Sequence, residues 1–520
     1  MKYSMLLPVM LFLTISSFSQ NFTEILKDGD KLMKEGDYYG AYRKYDAAEA
    51  TDPNRKNEAK LKRDDLFKKI ESLRIEAVKA KSEAQAQKEI ADLALAQANK
   101  FINALDLSEK KLALAYKDGK VGYIDKKGDL VIPYRYEIAG AFDNTGFAKV
   151  QTIEECAIPN SLGVKTEYRP VDYLIDPQGR QYKVAYRFED IKTEEEITDT
   201  VKIKALDLRN TGLNSFPPQI LDQPQLEIII LNARLRTENN LKAIPIEIGN
   251  FQNLKYFSAS GCNIGTIPTE IGQLSGLQTL DLENNDLKSL PPEFIQLKEL
   301  QVLNLSDNQL EKLPEGIGQL KKLQVLLITD NPIKTLPADF AELKSLRILD
   351  LRKSSLGRWP AGLEKIKTLE QLNFGSNSLT AFPNEILQLT KLEFLDLSFN
   401  PKTTVPFNIK KFTELKFLSL RRNELNDLMP GLELPDKLRV LDLSGNNFTN
   451  FPKQILKLTN LESLDLSFNE DLTSIPREIG QLKKLKTLTL NDTAIKEPEQ
   501  KKIKSYLPGC NIIFKQKLSY

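Results

Sequence analysis

The chain has 520 residues, a net charge of +2 at pH 7, three cysteines and no histidine. The near-neutral charge predicts that the protein does not bind nucleic acid. The lack of histidine excludes Ser-His-Asp and Cys-His nucleophile pairs and every His-ligated metal site. The three cysteines form no CxxC motif, and neither a glycine-rich phosphate loop nor a GxSxG motif occurs. We therefore expect no enzyme activity, no cofactor and no metal.

The N-terminus has the pattern of an export signal. Lys2 is followed by an apolar run over residues 5–15, and Ser17 and Ser19 are small residues suited to cleavage before Gln20. The run is too short to span a bilayer, and the rest of the chain has no long apolar stretch. We predict a signal peptide over 1–19, no transmembrane span in the mature chain, and a location in the periplasm, on the outer cell surface or outside the cell. The alternative is an uncleaved amphipathic start.

Residues 20–53 predict a helical hairpin. Gly29, Gly36, Tyr45 and Pro53 lie at the spacing of a tetratricopeptide repeat, which this segment resembles in a single copy. Small residues let the two helices approach, and the proline ends the second helix. Because helical repeats normally need about three copies to be stable alone, we expect this copy to pack on another part of the protein. Peptide binding by the hairpin is the alternative.

Residues 54–108 predict a long helix. No glycine or proline occurs between residues 54 and 105, and small or apolar residues, mostly alanine, recur at steps of three and four. Alanine buries little area, so such a seam would form only a weak coiled coil. The two interpretations are a homodimer through residues 54–105 and a single solvated helix that acts as a spacer.

Residues 109–192 change to strand character. The segment 118–125 reads DGKVGYID and Gly128 follows, a pattern typical of strand, turn and strand. It resembles the bacterial WG repeat, with Val121 in place of the usual tryptophan, and residues 173–179 resemble a second, degraded copy. A polar linker over 193–200 follows. We expect the hairpin, helix and WG units to form an arm, with the remainder as a separate rigid body.

Residues 201–498 repeat one frame, L-x-x-L-x-L-x-x-N, as at Leu300, Leu303, Leu305 and Asn308. The first leucine recurs every 23 residues from Leu254 to Leu461, and a proline marks the second half of most units. A fixed period of this length predicts a solenoid. The frame resembles the leucine-rich repeat family, which implies an α/β fold of about 13 repeats with a curved parallel β-sheet on the concave face.

The spacing within one repeat explains how the solenoid would fold. The last two leucines alternate with polar residues, so they lie on one face of a short strand, and stacked repeats bury them together. The final Asn is expected to satisfy backbone groups where the chain turns, a structural role. Residues 499–520 are expected to cap the last repeat with a helical turn around Ile503 and a closing strand at Cys510, where the thiol is a core residue.

The strand residues that flank the leucines should point away from the core. Those before the second leucine form what we call the apolar band, with Leu327 beside it and arginines at its rim, and a large exposed apolar surface is typical of a binding site. The band consists of Thr279, Val302, Val325, Ile348, Gln371, Phe394, Phe417 and Val440. The predicted binding residues are Val302, Val325, Leu327, Ile348, Arg352, Phe394, Phe417, Arg421 and Val440. The alternative is that these residues are typical of the family.

A column of aspartates follows the second leucine of many strands. Its members are Asp207, Asp281, Asp350, Asp396, Asp442 and Asp465. Paired carboxylates can act as acid and base or bind Ca²⁺, but the L-D-L-S motif that is common in the family also produces this column. We predict an exported, non-catalytic scaffold that binds a protein partner. The alternatives are an adhesion or glycan-binding protein of the bacterial envelope and, third, an enzyme subunit whose partner supplies the activity.

Overall fold

The computed structural model describes single helical residues between Lys27 and Asp65 and then residues 112–514, except 118–119, 126–128, 144–145, 161–162, 188–202, 222, 234–238 and 402–407. The predicted signal peptide, the predicted linker and most of the predicted long helix lie outside the described residues. Between Lys27 and Asp65, Lys44 pairs with Asp28 at 2.8 Å and Lys62 pairs with Asp30 at 2.8 Å. The described residues include no helix that is long and apolar enough to cross a bilayer.

The described residues between 112 and 187, which we call the β segment, contain seven strands. They are β1 (Ala113–Lys117), β2 (Lys120–Ile124), β3 (Leu130–Tyr136), β4 (Ile138–Ala139), β5 (Ala148–Asn160), β6 (Gly163–Ile175) and β7 (Gln181–Ala185). Strands β1 to β3 form one antiparallel sheet, and β4 to β7 pair antiparallel in a second sheet. Tyr123 and Tyr136 are buried between them. A side chain at Gly122 would lie 2.6 Å from the Ile132 carbonyl oxygen, so only glycine fits at the irregularity in the pairing of β2 with β3.

Strand β7 joins the β segment to the repeats. It pairs parallel with β8 (Ala205–Asp207), with Val184 opposite Ala205 and Ala185 opposite Leu206. Strands β4 to β21 therefore follow one another in one sheet of 18 strands. The prediction of a solenoid that is a separate rigid body is wrong for the β segment, because backbone hydrogen bonds continue from one part into the other.

In the described part of residues 203–498, the repeats form a solenoid of 13 strands. They are β8 (Ala205–Asp207), β9 (Ile228–Ile230), β10 (Tyr256–Ser258), β11 (Thr279–Asp281), β12 (Val302–Asn304), β13 (Val325–Leu327), β14 (Ile348–Asp350), β15 (Gln371–Asn373), β16 (Phe394–Asp396), β17 (Phe417–Ser419), β18 (Val440–Asp442), β19 (Ser463–Asp465) and β20 (Thr487–Thr489). All neighbours pair in parallel and in register. The predicted leucine-rich-repeat solenoid is confirmed.

Short 3-10 helices lie in the second half of most repeats. They span Pro218–Ile220, Ile246–Asn250, Thr269–Gln273, Pro292–Gln296, Ile317–Gln319, Ala338–Glu342, Leu363–Lys365, Asn384–Gln388, Ile409–Lys411, Lys453–Lys457 and Arg477–Gln481. A proline directly precedes most of them, as Pro291 does with a φ of −67°, and proline is confined to such values. Each helix returns one or two apolar residues to the core, for example Phe294.

The leucines of the frame form one continuous core. Leu300, Leu303 and Leu305 are fully buried in a single cluster that extends from Ala185 to Leu507. Each buried leucine contributes roughly 1.5–3 kcal/mol of gross stabilisation. The last repeat is closed by helix α1 (Glu497–Tyr506), which buries Ile503, and by β21 (Asn511–Ile513), which pairs with β20. The predicted cap is therefore present, with Cys510 packed against the core.

Candidate binding surface

The asparagine column holds the chain where it leaves each strand. The Asn285 amide donates to the carbonyl oxygens of Ala259 and Leu282 at 2.9 and 3.0 Å, and its oxygen accepts from the Cys262 and Ile264 N–H groups. Asn239 does the same in the second repeat, after an insertion that hid it from the frame. The amides of Asn239 and Asn285 bond to the backbone at both ends, and Asn377 donates to the Leu351 and Phe374 carbonyl oxygens, which agrees with the predicted structural role of this column.

The apolar band lies on the strands, but it is not exposed. The exposed fraction of Val325 is 0% and that of Ile348 is 2%, and Phe394 and Phe417 stack with ring centroids 4.2 Å apart. In-register strands place equivalent side chains about 4.8 Å apart, so the members of the band contact one another along the solenoid. The expectation of an exposed apolar surface is wrong for these residues, and also for Val440.

Four of the predicted binding residues remain accessible. Val302 and Leu327 are half-buried beside the Val325–Ile348 cluster. Arg352 is exposed, 3.7 Å from Asp350, and Arg421 is half-buried with its guanidinium 5.7 Å from the Phe399 ring. It stays a prediction that these nine residues contribute to partner binding.

The aspartate column has no common electrostatic state. Burial raises the pKa of Asp281, Asp350 and Asp396 above the usual range, and hydrogen-bond donors only partly offset it. Burial and then the charge of Asp465 raise the pKa of Asp442 to about 6. Among the described residues, no group of three or more His, Cys, Asp or Glu side chains could hold a metal ion.

Among the described residues, a residue with a left-handed backbone directly precedes the Asn-column position of the repeats. The position has positive φ in nearly every repeat, and most of its occupants are small or polar, such as Asn284, Asp307 and Gly445. Phe399 and Phe468 occupy it with φ of 55° and 56°. A left-handed conformation costs an ordinary residue roughly 1–2 kcal/mol. The signal in the sequence was the motif L-S-F-N, in which an aromatic residue replaces a small turn residue.

The two phenylalanines lie on one side of the sheet with their rings partly in solvent. Their exposed fractions are 41% for Phe399 and 38% for Phe468. The Arg422 guanidinium carbon lies 5.5 Å from the Phe399 ring centroid. A side chain at Gly445 would lie 2.6 Å from Cγ of Arg422, so the glycine leaves room for the arginine. We call these four residues and Arg421 the aromatic–arginine edge.

A cleft of about 390 Å³ lies where the β segment meets the first repeats. Sequence analysis missed it, because its residues come from distant parts of the chain. The solenoid contributes Gln278, Gln301 and Gln324 to its lining, and the β segment contributes Phe147 and Tyr182. We call it the amide cleft.

Comparison with known proteins gives the following matches. A model of the leucine-rich repeat region matches residues 238–309 and 298–406, a second leucine-rich repeat model matches 436–495, and a WG containing repeat model matches 122–152. No curated protein matches the chain. A leucine-rich repeat protein of Leptospira interrogans is 32% identical, with 64% of this chain and 100% of that chain covered and a TM-score of 0.49.

Two further solved structures are similar to this chain. An internalin (InlF) of Listeria monocytogenes is 18% identical, with 64% of this chain and 94% of that chain covered and a TM-score of 0.51. The plant peptide hormone receptor RGFR1, solved in complex with RGF2, is 25% identical, with 61% of this chain covered and a TM-score of 0.47. This chain spans 60% of that receptor.

Proposed function

The chain belongs to the leucine-rich repeat proteins, and we propose that it is an exported, non-catalytic scaffold that binds a protein partner at the concave sheet of its solenoid. The export part is supported by the apolar run and small residues of 1–19. The non-catalytic part is supported by the absence of histidine and by the lack of a metal-holding cluster among the described residues.

The observation that carries the binding proposal is the aromatic–arginine edge. Phe399 and Phe468 are exposed and have left-handed backbone conformations that disfavour a bulky side chain. Neither the core nor the turn needs a phenyl ring there, because Asp, Asn, Ser and Gly occupy the same position in other repeats. A strained, exposed residue of this kind is typical of a functional site. We infer that the two rings are kept for contact with a partner.

The composition of the edge favours a protein partner. Aromatic residues and arginine supply most of the binding energy in protein interfaces, where they lie among less important contacts. The edge presents two phenyl rings with Arg421 and Arg422 between them, so a partner with acidic and apolar side chains would complement it. The accessible predicted residues Val302, Leu327 and Arg352 would extend the same interface across the sheet.

The test replaces both phenylalanines with asparagine. Asn adopts the left-handed conformation readily, so Phe399→Asn/Phe468→Asn should keep the fold while removing both rings. The matched control is Asp307→Asn, because Asp307 occupies the same left-handed position in a repeat remote from the edge. Each chain is expressed in its native host and crosslinked on intact cells, and the recovered partners are quantified by mass spectrometry.

We expect the yield of crosslinked partner to fall about tenfold or more with the double variant, as for interface hot spots. The control variant should recover the partner at the normal yield. The recovered bait should begin at Gln20. Equal recovery of the same partners by the folded double variant would exclude the edge as the site. A bait that stays in the cytoplasm with Met1 intact would contradict export.

A further inference from the structure

We propose that the amide cleft binds a neutral saccharide. This binding site goes beyond protein recognition at the sheet and does not depend on it. The residues that line the cleft belong to the β segment or to the second to seventh repeats, whereas the aromatic–arginine edge lies between Phe399 and Phe468.

The solenoid side of the cleft is a row of amide groups at fixed spacing. The Gln301 N–H donates to the Gln278 carbonyl oxygen at 2.8 Å, and the Gln324 N–H donates to the Gln301 carbonyl oxygen at 2.8 Å. Parallel strands therefore hold the three side chains about 4.8 Å apart. Each amide has both a donor and an acceptor, and in the described structure none of the three side chains makes a hydrogen bond to the protein. The donors and acceptors of the three amides are therefore available for hydrogen bonds to a ligand.

The β segment contributes the aromatic residues Phe147 and Tyr182 to the cleft. Phe147 is half-buried and lies edge-on to Tyr182 and Tyr256, with centroid distances of 6.1 and 5.2 Å. Tyr182 also donates a hydrogen bond to Asp176 at 3.3 Å. Ligand sites commonly combine apolar or aromatic walls with a few convergent polar groups. A sugar ring suits such a site, because its C–H face can pack on the half-buried Phe147 ring, which the buried Tyr182 supports, while its hydroxyl groups point to the amides.

The charges around the cleft favour a neutral ligand over an anion. Three cations line it, and each one is paired with a carboxylate of the protein. Arg180 contacts Asp176, Lys255 lies 2.6 Å from Glu227, and Arg347 lies 2.8 Å from Glu370. An anion would have to compete with these carboxylates, whereas a hydroxyl group needs only the donors and acceptors that the amides offer.

The spacing of the amides favours a saccharide over an extended peptide. Along a peptide strand, groups on one side repeat every two residues, roughly 6.7 Å apart. They cannot meet three consecutive amides about 4.8 Å apart without leaving some unpaired. The volume of about 390 Å³ lies within the range of small-molecule sites, which fits one or a few sugar units.

The experiment uses the full chain and an array of neutral oligosaccharides, followed by calorimetric titration with the oligosaccharide that binds best. The test variant is Gln278→Met/Gln301→Met/Gln324→Met, in which side-chain length is kept and the amides are lost. Gln481→Met, at an exposed position near the far end of the solenoid, is the matched control. Circular dichroism checks that both variants are folded.

We expect the unchanged chain and the control to bind the same neutral oligosaccharide, and the triple variant to bind it about tenfold or more weakly. The affinity of the unchanged chain should stay constant between about 50 and 500 mM salt, because no net charge is paired. No binding on the array, or equal binding by the triple variant, would overturn the proposal. Affinity that falls steeply with salt would assign the cleft to an anion, and amide-dependent capture of a peptide would assign it to peptide recognition.

Discussion

The first and last parts of the aspartate column contain the same residue type at the same repeat position, but in opposite electrostatic states. At Asp207, in the first repeat, burial acts to raise the pKa. Hydrogen bonds and charge from Arg209, and then from Lys149, outweigh it, so the pKa lies below the usual range. At Asp442 and Asp465, burial raises both pKa values, and at Asp442 the charge of Asp465 adds to the effect.

The difference comes from the β segment. Lys149, on β5, lies 3.0 Å from the Asp207 carboxylate, and Asp143 positions Arg209 through a contact of 2.8 Å. Asp442 accepts hydrogen bonds mainly from its neighbour Ser444, at 2.9 and 2.6 Å. Serine donors stabilise a buried carboxylate less than a paired arginine does. The lesson is that a repeat position determines where a side chain points, and its neighbours determine its charge.

The largest expected effect on stability is at Asp207, the first member of the aspartate column, which is paired with Arg209 and Lys149. Asp207→Ala should destabilise the solenoid by about 2–4 kcal/mol, because it leaves Arg209 and Lys149 without their buried partner. Urea unfolding at neutral pH measures the change. Asp471→Ala, at an exposed position, should cost less than about 0.5 kcal/mol. Equal losses in the two variants would show that the pairing of Asp207 contributes nothing.

The opposite effect on stability is expected at Asp442, near the other end of the aspartate column. Asp442→Asn should stabilise the solenoid at pH 7.5 by about 1–2 kcal/mol, because it removes a charge whose burial is unfavourable and retains an oxygen that accepts from the Ser444 N–H. The same unfolding measurement, with Asp207→Asn as the comparison, tests it. If Asp442→Asn destabilised the protein at pH 7.5, the buried charge would not be costly.

The pH dependence of that gain gives an independent check. The pKa of folded Asp442, about 6, lies above its ordinary value of 3.8. Its contribution to stability is therefore fully present below about pH 4 and is lost as the pH rises through about 6. The advantage of Asp442→Asn over the unchanged chain should shrink on going from pH 7.5 to pH 5. Asp207, with its lowered pKa, has the opposite sign and contributes stability that is lost only in acid.

The smallest effect concerns the left-handed position and tests the same lesson about neighbours. Phe468→Asn should raise stability by about 1 kcal/mol, because Asn tolerates a positive φ better than Phe. Phe399→Asn should gain less, because it also loses the contacts of Arg421 and Arg422 with the ring. Melting temperatures of the two single variants measure the difference. A larger gain for Phe399→Asn would mean that the arginines do not stabilise the ring.

The sequence by itself determined the solenoid. The period of 23 residues predicted the 13 strands and the structural Asn column, and the residues after 498 predicted the cap, all of which the structure contains. The reason is physical: each repeat buries its leucines only against its neighbours, so one frame contains nearly all the contacts that matter. Asn239 escaped because an insertion displaced it from that frame, and Phe399 and Phe468 stood in the frame without being recognised as exposed.

Only the tertiary structure decided the rest, because the contacts involved join residues that no repeat relates. Arg209 meets Asp143 across 66 positions of sequence, and the amide cleft combines Phe147 with Gln324. The continuation of the sheet from β7 to β8 likewise depends on backbone pairing, which alternation of side chains cannot reveal. The burial of Val325 and Phe394 depends on the side chains stacked beside them, and a residue's accessibility is a property of its surroundings in space.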